Sequence, residues 1–409
     1  MAKLTSVEQS RFYINTFHDY SKKVDNKIID TDDNINETFK LQIEKKAKEF
    51  IEELERKEQY WLNDDYSVYT GFTGIMYTFY HYGRCFNKSS YINRAVSIIE
   101  KHLINIQDKR HFTFLMGMAG PLSLGAVILN NEGKIQESER FISMLISISN
   151  KALKKQYNVP DELLYGRAGY LFSLIYVNTH ISPSPIKNTL ISEVICCILK
   201  SGNEYASLKK YKSPIMFTWH GSDYIGGAHG LGGILYVLLQ GHKYLTEAQL
   251  RDDLKPALYF LQTLKFSSGN FPSSINSNSD KLVQWCHGAP GMTALFALAY
   301  EIFNEHEFLQ TALQCGEIVW SRGILRKGCG LCHGTSGNAY SFLQLYQITK
   351  ETKYLYRACK FAEWCFEYKM HQNQEPDRTF SLFEGLAGII YFLSDLHQPL
   401  LAKFPGYTI

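Results

Sequence analysis

Apolar residues recur along this chain in two alternating kinds of segment. In the first kind almost every position is apolar, as in residues 292–300. In the second kind apolar residues stand three or four positions apart, which is typical of an amphipathic helix with one wet face. Segments of the second kind include residues 92–103, 135–148, 313–323 and 354–368. Runs rich in β-branched residues between hairpin turns are few, so the pattern predicts an all-α protein.

A pair of glycines opens each of the almost wholly apolar segments. The motif Gly-x-x-Gly occurs there seven times, and its first glycines are 46, 49, 64, 58, 46 and 51 residues apart. The pairs are Gly71/Gly74, Gly117/Gly120, Gly166/Gly169, Gly230/Gly233, Gly288/Gly291, Gly334/Gly337 and Gly385/Gly388. A nearly even period of this size indicates a structural repeat, here of one buried helix and one amphipathic helix.

Seven helical hairpins can stack as an open solenoid or close into a ring. In a ring, the apolar helices form an inner barrel and the amphipathic helices an outer barrel. The free N–H groups at the starts of the inner helices then line one shared mouth, where an active site is expected. We therefore predict a seven-repeat (α/α) toroid over residues 63–409, with residues 1–62 as a polar N-terminal helical extension packed on the outside.

Composition restricts the location and the partners of the protein. A net charge of +3 over 409 residues implies no general attraction for nucleic acid. Nine cysteines is an odd number without a framework spacing, which favours free thiols in a reducing compartment. We expect neither a signal peptide nor a transmembrane segment, because the N-terminus leads into polar sequence and the apolar runs are short. A cytoplasmic location is predicted, with peripheral membrane or nuclear association left open.

Two of the glycine turns carry the same tripeptide, Cys-His-Gly, at residues 286–288 and 332–334. In a closed ring these turns are neighbours. One Cys-His pair would more often be small buried residues at a turn, but two copies in register match the thiolate and imidazole ligands of zinc. The spacing does not decide whether His287 or His333 is the third ligand. Two cysteines and one histidine leave one position of a tetrahedral zinc open, as in catalytic sites.

A competing interpretation pairs Cys329 with Cys332 as a Cys-x-x-Cys redox or metal motif. That motif lacks a surrounding βαβ pattern and leaves Cys286 without a role. We therefore predict one zinc ion per chain on Cys286, Cys332 and a neighbouring histidine. Such a zinc is formally neutral, which suits the binding of a substrate thiol as a thiolate better than fast hydrolysis.

Several motifs at the glycine turns resemble those of the lanthionine synthetase C family, most closely its eukaryotic LanC-like branch. They are Asp161-Glu-Leu-Leu-Tyr-Gly-Arg-Ala-Gly169, Gly227-Ala-His-Gly-Leu231, Trp285-Cys-His-Gly-Ala-Pro-Gly291, Gly330-Leu-Cys-His-Gly334, Ser381-Leu-Phe-Glu-Gly385 and Tyr354-Leu-Tyr-Arg-Ala-Cys-Lys-Phe-Ala-Glu-Trp-Cys365. The resemblance extends from Arg11 to Phe404. It implies the same toroid, and it implies zinc on Cys286, Cys332 and His333.

The resemblance also implies a reaction. Bacterial cyclases of the family add a peptide cysteine to dehydroalanine or dehydrobutyrine and form a thioether. The LanC-like branch binds glutathione and adds it to dehydroamino acids in damaged proteins. A zinc-dependent glutathione transferase of this kind is therefore expected here. Its sulfur attacks the β-carbon of the alkene, and the resulting enolate must be stabilised and protonated.

Catalytic roles are implied at two other glycine turns. His229 resembles the acid of the family, although a lone histidine is often structural. Glu162, with Asp161 beside it, matches a carboxylate that the bacterial cyclases require, and a residue at that place is also an ordinary helix cap. Arg167 is expected either to stabilise the enolate or to pair with that carboxylate.

Basic residues near the mouth are expected, because glutathione carries two carboxylates. Lys327 and Arg11 match positions that contact glutathione in the LanC-like branch. A third contact is implied for the loop Gln374-Glu375-Pro376-Asp377. The family usually has an arginine in place of Gln374, and Arg378 is the candidate substitute.

Two further positions depart from the bacterial cyclases. They carry an arginine where this chain has Leu282 and a tyrosine where it has His287. The eukaryotic pattern has both changes, which argues against a dedicated lantibiotic cyclase.

Two other classes of function compete with the transferase. One is a scaffold that binds glutathione and partner proteins such as protein kinases, with a zinc site and little catalysis. The other is a zinc prenyltransferase-like toroid, which also activates thiols. The prenyltransferases use an Asp-Cys-His metal set, and the Cys-Cys-His set of this chain speaks against that assignment.

Overall fold

Helices and short turns make up most of the structure, a computed structural model that describes residues 11–21, 27–104, 106, 111–154, 159–371 and 376–409. Fourteen helices of these ranges are numbered in chain order. They are α1 (Glu37–Arg56), α2 (Phe72–Cys85), α3 (Ser89–Ile98), α4 (Ala119–Asn131), α5 (Ile135–Ser147), α6 (Arg167–His180), α7 (Asn188–Lys209), α8 (Leu231–Gln240), α9 (Lys255–Thr263), α10 (Ala289–Phe303), α11 (His306–Arg322), α12 (Thr335–Thr349), α13 (Thr352–Phe366) and α14 (Leu386–Asp395). Short helical turns occur at Glu58–Trp61, Ser149–Ala152, His242–Tyr244 and Tyr368–His371. Ile99–Leu103 and Gln249–Leu254 are short π-helices. In the described ranges β pairing is limited to isolated bridges.

The even-numbered helices form the inner barrel. Each contacts the next around the ring, and α14 contacts α2, so the inner barrel closes on itself. All ten residues of α14 are buried, as an almost wholly apolar helix requires. No helix in the described part of the chain combines the length and the apolar composition that a bilayer crossing needs.

The odd-numbered helices form the outer layer. In α5 the buried residues Ser138, Phe141, Ile142 and Leu145 lie on one face, which is the pattern of an amphipathic helix. The four predicted amphipathic segments fall on α3, α5, α11 and α13. α11 begins at His306, earlier than residue 313, because Phe308 and Ala312 continue its buried face.

The first helix supplies the outer layer of the last repeat. α1 packs on α14, the seventh inner helix, although the two helices lie at opposite ends of the chain. Its buried face includes Ile43, Phe50 and Leu54. The division of the chain at residue 62 into an extension and a toroid stays a prediction.

A second closed ring consists of backbone hydrogen bonds between the turns that precede the inner helices. One N–H of each turn donates to a carbonyl of the next turn, or of the helix start that follows that turn, over 2.8–3.5 Å. The bonds run from Tyr69 to Leu115, Phe114 to Gly169, Leu163 to Ala228, Ala228 to Cys286, Cys286 to Cys332, Cys332 to Phe383, and Phe383 back to Tyr69. Because the last bond returns to the first repeat, the predicted seven-repeat (α/α) toroid is confirmed.

The second glycine of each pair is required by close packing at these turns. A Cβ atom there would lie 1.7–2.5 Å from the carbonyl oxygen of the residue six positions earlier, in all seven repeats. Only glycine lets the helix start approach the backbone of its own turn so closely. The glycine period in the sequence is therefore the period of the turns that form the mouth.

The barrel axis is filled by the segment 402–409. The Tyr407 hydroxyl donates to the carbonyl of Gly291 in α10 over 3.2 Å. Phe404 stacks on Trp285, with ring centroids 5.2 Å apart. Trp285 directly precedes Cys286, so a packed aromatic core, and not a pore, lies next to the turn that carries this cysteine.

Candidate active site

The seven turns place equivalent residues at equivalent points of the ring. The residues just before the first glycines are Thr70, Met116, Tyr165, His229, His287, His333 and Glu384. The residues one position earlier are Tyr69, Leu115, Leu164, Ala228, Cys286, Cys332 and Phe383. Four successive repeats thus bring three histidines and one glutamate to one side of the mouth, together with two cysteines.

Cys286, Cys332 and His333 form a compact group. One ligand atom from each side chain lies within 4.8 Å of the other two. Both cysteines are buried, and His333 is half-buried. The sulfur and nitrogen ligands of a tetrahedral zinc lie roughly 3.5–3.8 Å apart, so a small contraction of this group accommodates the ion. The donor set, two thiols and one imidazole, also fits zinc.

The alternatives that the sequence left open are arranged differently. His287 does not belong to the compact group, and its buried Nδ1 has no hydrogen-bond partner among the described residues. Cys329 is buried, and its interaction with Cys365 in α13, together with burial, raises its pKa. The Cys329 thiol therefore interacts with Cys365 and not with Cys332. Cys329 and Cys332 are both free thiols.

The two thiols of the compact group differ in acidity. A hydrogen bond from Cys332 holds the pKa of Cys286 well below its usual range against the opposing effect of burial, with further help from His333 and from the imidazole charges. Burial raises the pKa of Cys332, and so does the neighbouring Cys286 sulfur. Without a cation the site therefore favours one thiolate and one thiol, and a divalent cation would favour two thiolates.

Two neutral side chains contact these sulfurs. The Gln284 side-chain amide donates to Cys286 Sγ over 3.0 Å. The Tyr69 phenol lies close enough to Cys332 for each group to shift the pKa of the other. Burial, followed by the nearby sulfurs of Cys332 and Cys286, raises the pKa of Tyr69 well above its usual range. The phenol therefore keeps its proton and is available as a hydrogen-bond donor to Cys332.

His229 and Glu162 form a dyad at the neighbouring turns. His229 Nδ1 lies 2.7 Å from Glu162 Oε2. The glutamate is buried and also accepts hydrogen bonds from the backbone N–H groups of Leu164, over 2.9 Å, and Tyr165. The carboxylate is thus held by its own turn, and it fixes the histidine ring through Nδ1. In the described part of the chain His229 Nε2 has no hydrogen-bond partner.

Asp161 and Arg167 form a separate buried ion pair. Arg167 Nη1 lies 2.7 Å from Asp161 Oδ1, and the guanidinium also donates to the carbonyls of Ala152, Lys154 and Val159. The other carboxylate oxygen of Asp161 accepts from Ser201 over 2.6 Å. Both side chains line a cleft of about 410 Å³ that includes neither Cys286 nor Cys332. These contacts tie α6 to its neighbouring segments.

The predicted basic residues lie on exposed loops. The carbonyl of Arg11 accepts from the backbone N–H of Arg326 over 3.1 Å, which brings Arg11 next to Lys327. The side chains of Arg11, Lys327 and Arg378 are exposed and form no ion pair with any other described residue. Pro376 and Asp377 lie on the loop beside Arg378, and the carbonyl of Pro376 accepts from the Thr379 hydroxyl. Gln374 and Glu375 lie outside the described residues.

Three residues at the mouth have roles that were not predicted from the sequence. Tyr69 and Gln284 contact the two sulfurs, and the Glu384 carboxylate acts electrostatically on Cys332. The available signal was their register: Tyr69 occupies the place of the two cysteines in its own turn, and Glu384 occupies the place of His333. Gln284 stands four residues before its first glycine, as Glu162 does.

Comparison with known proteins identifies the family. The family model described as "Lanthionine synthetase C-like protein" matches residues 63–409. This chain belongs to the LanC-like family. The resemblance predicted from the motifs is therefore confirmed.

Individual relatives of this LanC-like protein support the same family assignment. "Glutathione S-transferase LANCL1" of Danio rerio is 39% identical over 384 residues, which cover 93% of this chain and 95% of the relative. "LanC-like protein GCL1" of Arabidopsis thaliana is 34% identical over 358 residues, covering 84% and 82% of the two chains. The structure named "Nisin cyclase" superimposes with a TM-score of 0.69 at 16% identity, over 87% of this chain and 94% of that one, which shows a shared fold.

Proposed function

We propose that this LanC-like protein adds glutathione to dehydroalanine and dehydrobutyrine residues of proteins or peptides and forms a thioether. The observation that carries the proposal is the compact group of Cys286, Cys332 and His333 in the same mouth as the His229–Glu162 dyad. The name of the Danio rerio relative, glutathione S-transferase LANCL1, supports the choice of thiol.

Cys286, Cys332 and His333 are the proposed zinc ligands, with one ion per chain. When bound, zinc would take up the sulfur of glutathione and keep it as a thiolate at neutral pH. Three protein ligands leave one position for that sulfur.

His229 is the proposed acid. As the glutathione sulfur bonds to the β-carbon, the electron pair of the alkene moves towards the carbonyl and forms an enolate. The α-carbon must then receive a proton, and the free Nε2 of His229 is the nitrogen that can donate it. Glu162 holds Nδ1, which fixes the ring and leaves Nε2 available to donate a proton. Asp161 and Arg167 support the reaction indirectly, by fixing the turn that carries Glu162.

The exposed cations are the proposed glutathione contacts. Arg11, Lys327 and Arg378 would bind its two carboxylates, because guanidinium and ammonium groups form charge-assisted hydrogen bonds with them. The loop residues Gln374, Glu375, Pro376 and Asp377 are proposed contacts as well. We assign to Arg378 the role of the family arginine that Gln374 replaces.

The test is a paired measurement on purified protein. Zinc content is measured together with mass-spectrometric detection of glutathione on a peptide that contains dehydrobutyrine, for the wild type, Cys332→Ala and His229→Ala. About one zinc per chain and a glutathione adduct with the wild type are expected. Cys332→Ala should lose both zinc and adduct, whereas His229→Ala should keep zinc and lose the adduct. Zinc without an adduct from the wild type would refute the transferase and favour the glutathione-binding scaffold.

A further inference from the structure

Each thiol of the proposed metal site has its own neutral hydrogen-bond donor. The Gln284 amide nitrogen lies 3.0 Å from Cys286 Sγ, and the protonated Tyr69 phenol is the neutral donor beside Cys332. The two donors come from different parts of the ring. Gln284 belongs to the same turn as Cys286, whereas Tyr69 reaches Cys332 from the first repeat, across the closure of the toroid.

The fold holds both donors in place independently of the sulfurs. The Tyr69 ring stacks on Phe383 with centroids 4.5 Å apart, and its carbonyl accepts from the backbone N–H of Phe383 over 3.2 Å. The backbone N–H of Gln284 donates to the carbonyl of His287 over 3.0 Å. Neither backbone contact depends on the phenol or the amide. Each polar group can therefore be removed by substitution while its turn is kept.

We propose that Tyr69 and Gln284 are positioning residues that hold the Cys332 and Cys286 sulfurs as thiolate ligands by donating one hydrogen bond to each. The inference rests on the proposed zinc site. Two ligand thiolates and the thiolate of a substrate give divalent zinc an excess of one negative charge. A hydrogen bond to a ligand sulfur offsets part of that charge without occupying a coordination position. It also engages a lone pair of that sulfur, so that the substrate sulfur remains the better nucleophile.

The experiment compares Tyr69→Phe and Gln284→Met with the wild type. Both substitutions keep approximate shape and remove the donor, and phenylalanine keeps the stacking on Phe383. Tyr236→Phe is the matched control, because it removes an inner-helix hydroxyl that contacts Thr408 instead of a sulfur. The protein is loaded with Co²⁺ to record the sulfur-to-metal charge-transfer band, and zinc affinity is measured by competition with a chelator. Neither readout depends on the transferase reaction.

Loss of either donor should shift the charge-transfer band to longer wavelength, because the sulfur lone pairs rise in energy. It should also weaken zinc binding by about 10- to 100-fold, the usual effect of removing a group that supports a metal ligand. Tyr236→Phe should behave like the wild type. If Tyr69→Phe fails to fold by circular dichroism, Gln284→Met decides the proposal.

Two results would overturn the inference, and they are distinguishable. A wild type that binds neither metal would refute the proposed zinc site and, with it, the role of its hydrogen bonds. A wild type that binds both metals, beside folded variants with an unshifted band and unchanged zinc affinity, would refute the role of Tyr69 and Gln284 alone.

Discussion

Replacing Glu162 by glutamine tests whether the carboxylate that holds His229 acts through its charge. The two side chains are 2.7 Å apart, and the glutamate side chain is only 2% exposed. Solvent therefore screens the interaction little. Glutamine has almost the same shape and can still accept from Nδ1, but it cannot stabilise a protonated imidazole by charge.

The expected loss follows from the strength of this contact. A hydrogen bond to a charged group contributes about 1.5–3 kcal/mol, and each 1.4 kcal/mol or so corresponds to about a factor of ten in rate. The charge of the Glu162 carboxylate stabilises His229 mainly when the imidazole is protonated. Glu162→Gln should therefore lower kcat by about 10- to 10²-fold. The single side-chain oxygen of glutamine cannot accept from His229 Nδ1 and also from the backbone N–H groups of both Leu164 and Tyr165. The free energy of unfolding should therefore fall by about 1 kcal/mol.

The assay is steady-state addition of glutathione to a dehydrobutyrine peptide, combined with zinc analysis. We expect kcat to fall while KM for glutathione and zinc content stay unchanged, because among the described residues the Glu162 carboxylate contacts its own turn and His229, and neither the basic residues nor the compact group. Glu193→Gln, at an exposed position on α7, is the matched control and should leave all three quantities unchanged. A kcat for Glu162→Gln within twofold of the wild type, with zinc retained, would refute the charge argument. Loss of zinc would instead mean that the two turns are coupled through the fold.

Further predictions concern packing, glutathione binding and pH. Gly337→Ala places a Cβ 1.7 Å from the carbonyl oxygen of Leu331, so it should destabilise the protein by about 1–3 kcal/mol in urea unfolding; an unchanged midpoint would contradict the close-packing argument. Lys327→Met should raise KM for glutathione by about tenfold without changing kcat, as expected for lost ground-state binding; an equal fall in kcat would assign the lysine to the chemical step. The carboxylate of Asp395, 2.7 Å away, outweighs burial and raises the pKa of His81 to about 10. Stability from this pair is therefore complete below the unfolded-state pKa, about 6.5, and is lost as the pH rises through about 10. The Tm difference between wild type and His81→Gln should shrink over that window, and a constant difference would refute the ion pair.

The regular features of the fold could be predicted because each has a local cause. The second glycine of every pair is required where a helix start approaches its own turn, so the number of repeats and the start of every inner helix can be read along the chain. The two Cys-His-Gly turns could be matched for the same reason. The start of α11 was predicted too late, because the buried face of its first turns includes the polar Thr311 beside Phe308 and Ala312.

The sequence pattern predicted which turns are neighbours but not every pair of side chains that meet, because those contacts depend on the orientation of each turn in the ring. The spacing alone allowed His287 or His333 as the third ligand, and the fold brings His333 to the cysteines. Asp161 and Glu162 are adjacent in sequence, yet only Glu162 reaches His229.

Closure of the ring determines the contacts between the two ends of the chain. The hydrogen bond from Phe383 back to Tyr69 brings the first repeat beside the last. Tyr69 therefore lies beside Cys332, although the two residues are far apart in the sequence. By the same closure α1 becomes the outer partner of α14. The sequence by itself determined the repeat, the turns and the residue types at the mouth, because these follow from local steric and hydrophobic requirements. Only the tertiary structure decided which of those residues meet, because that depends on packing between helices distant in the chain.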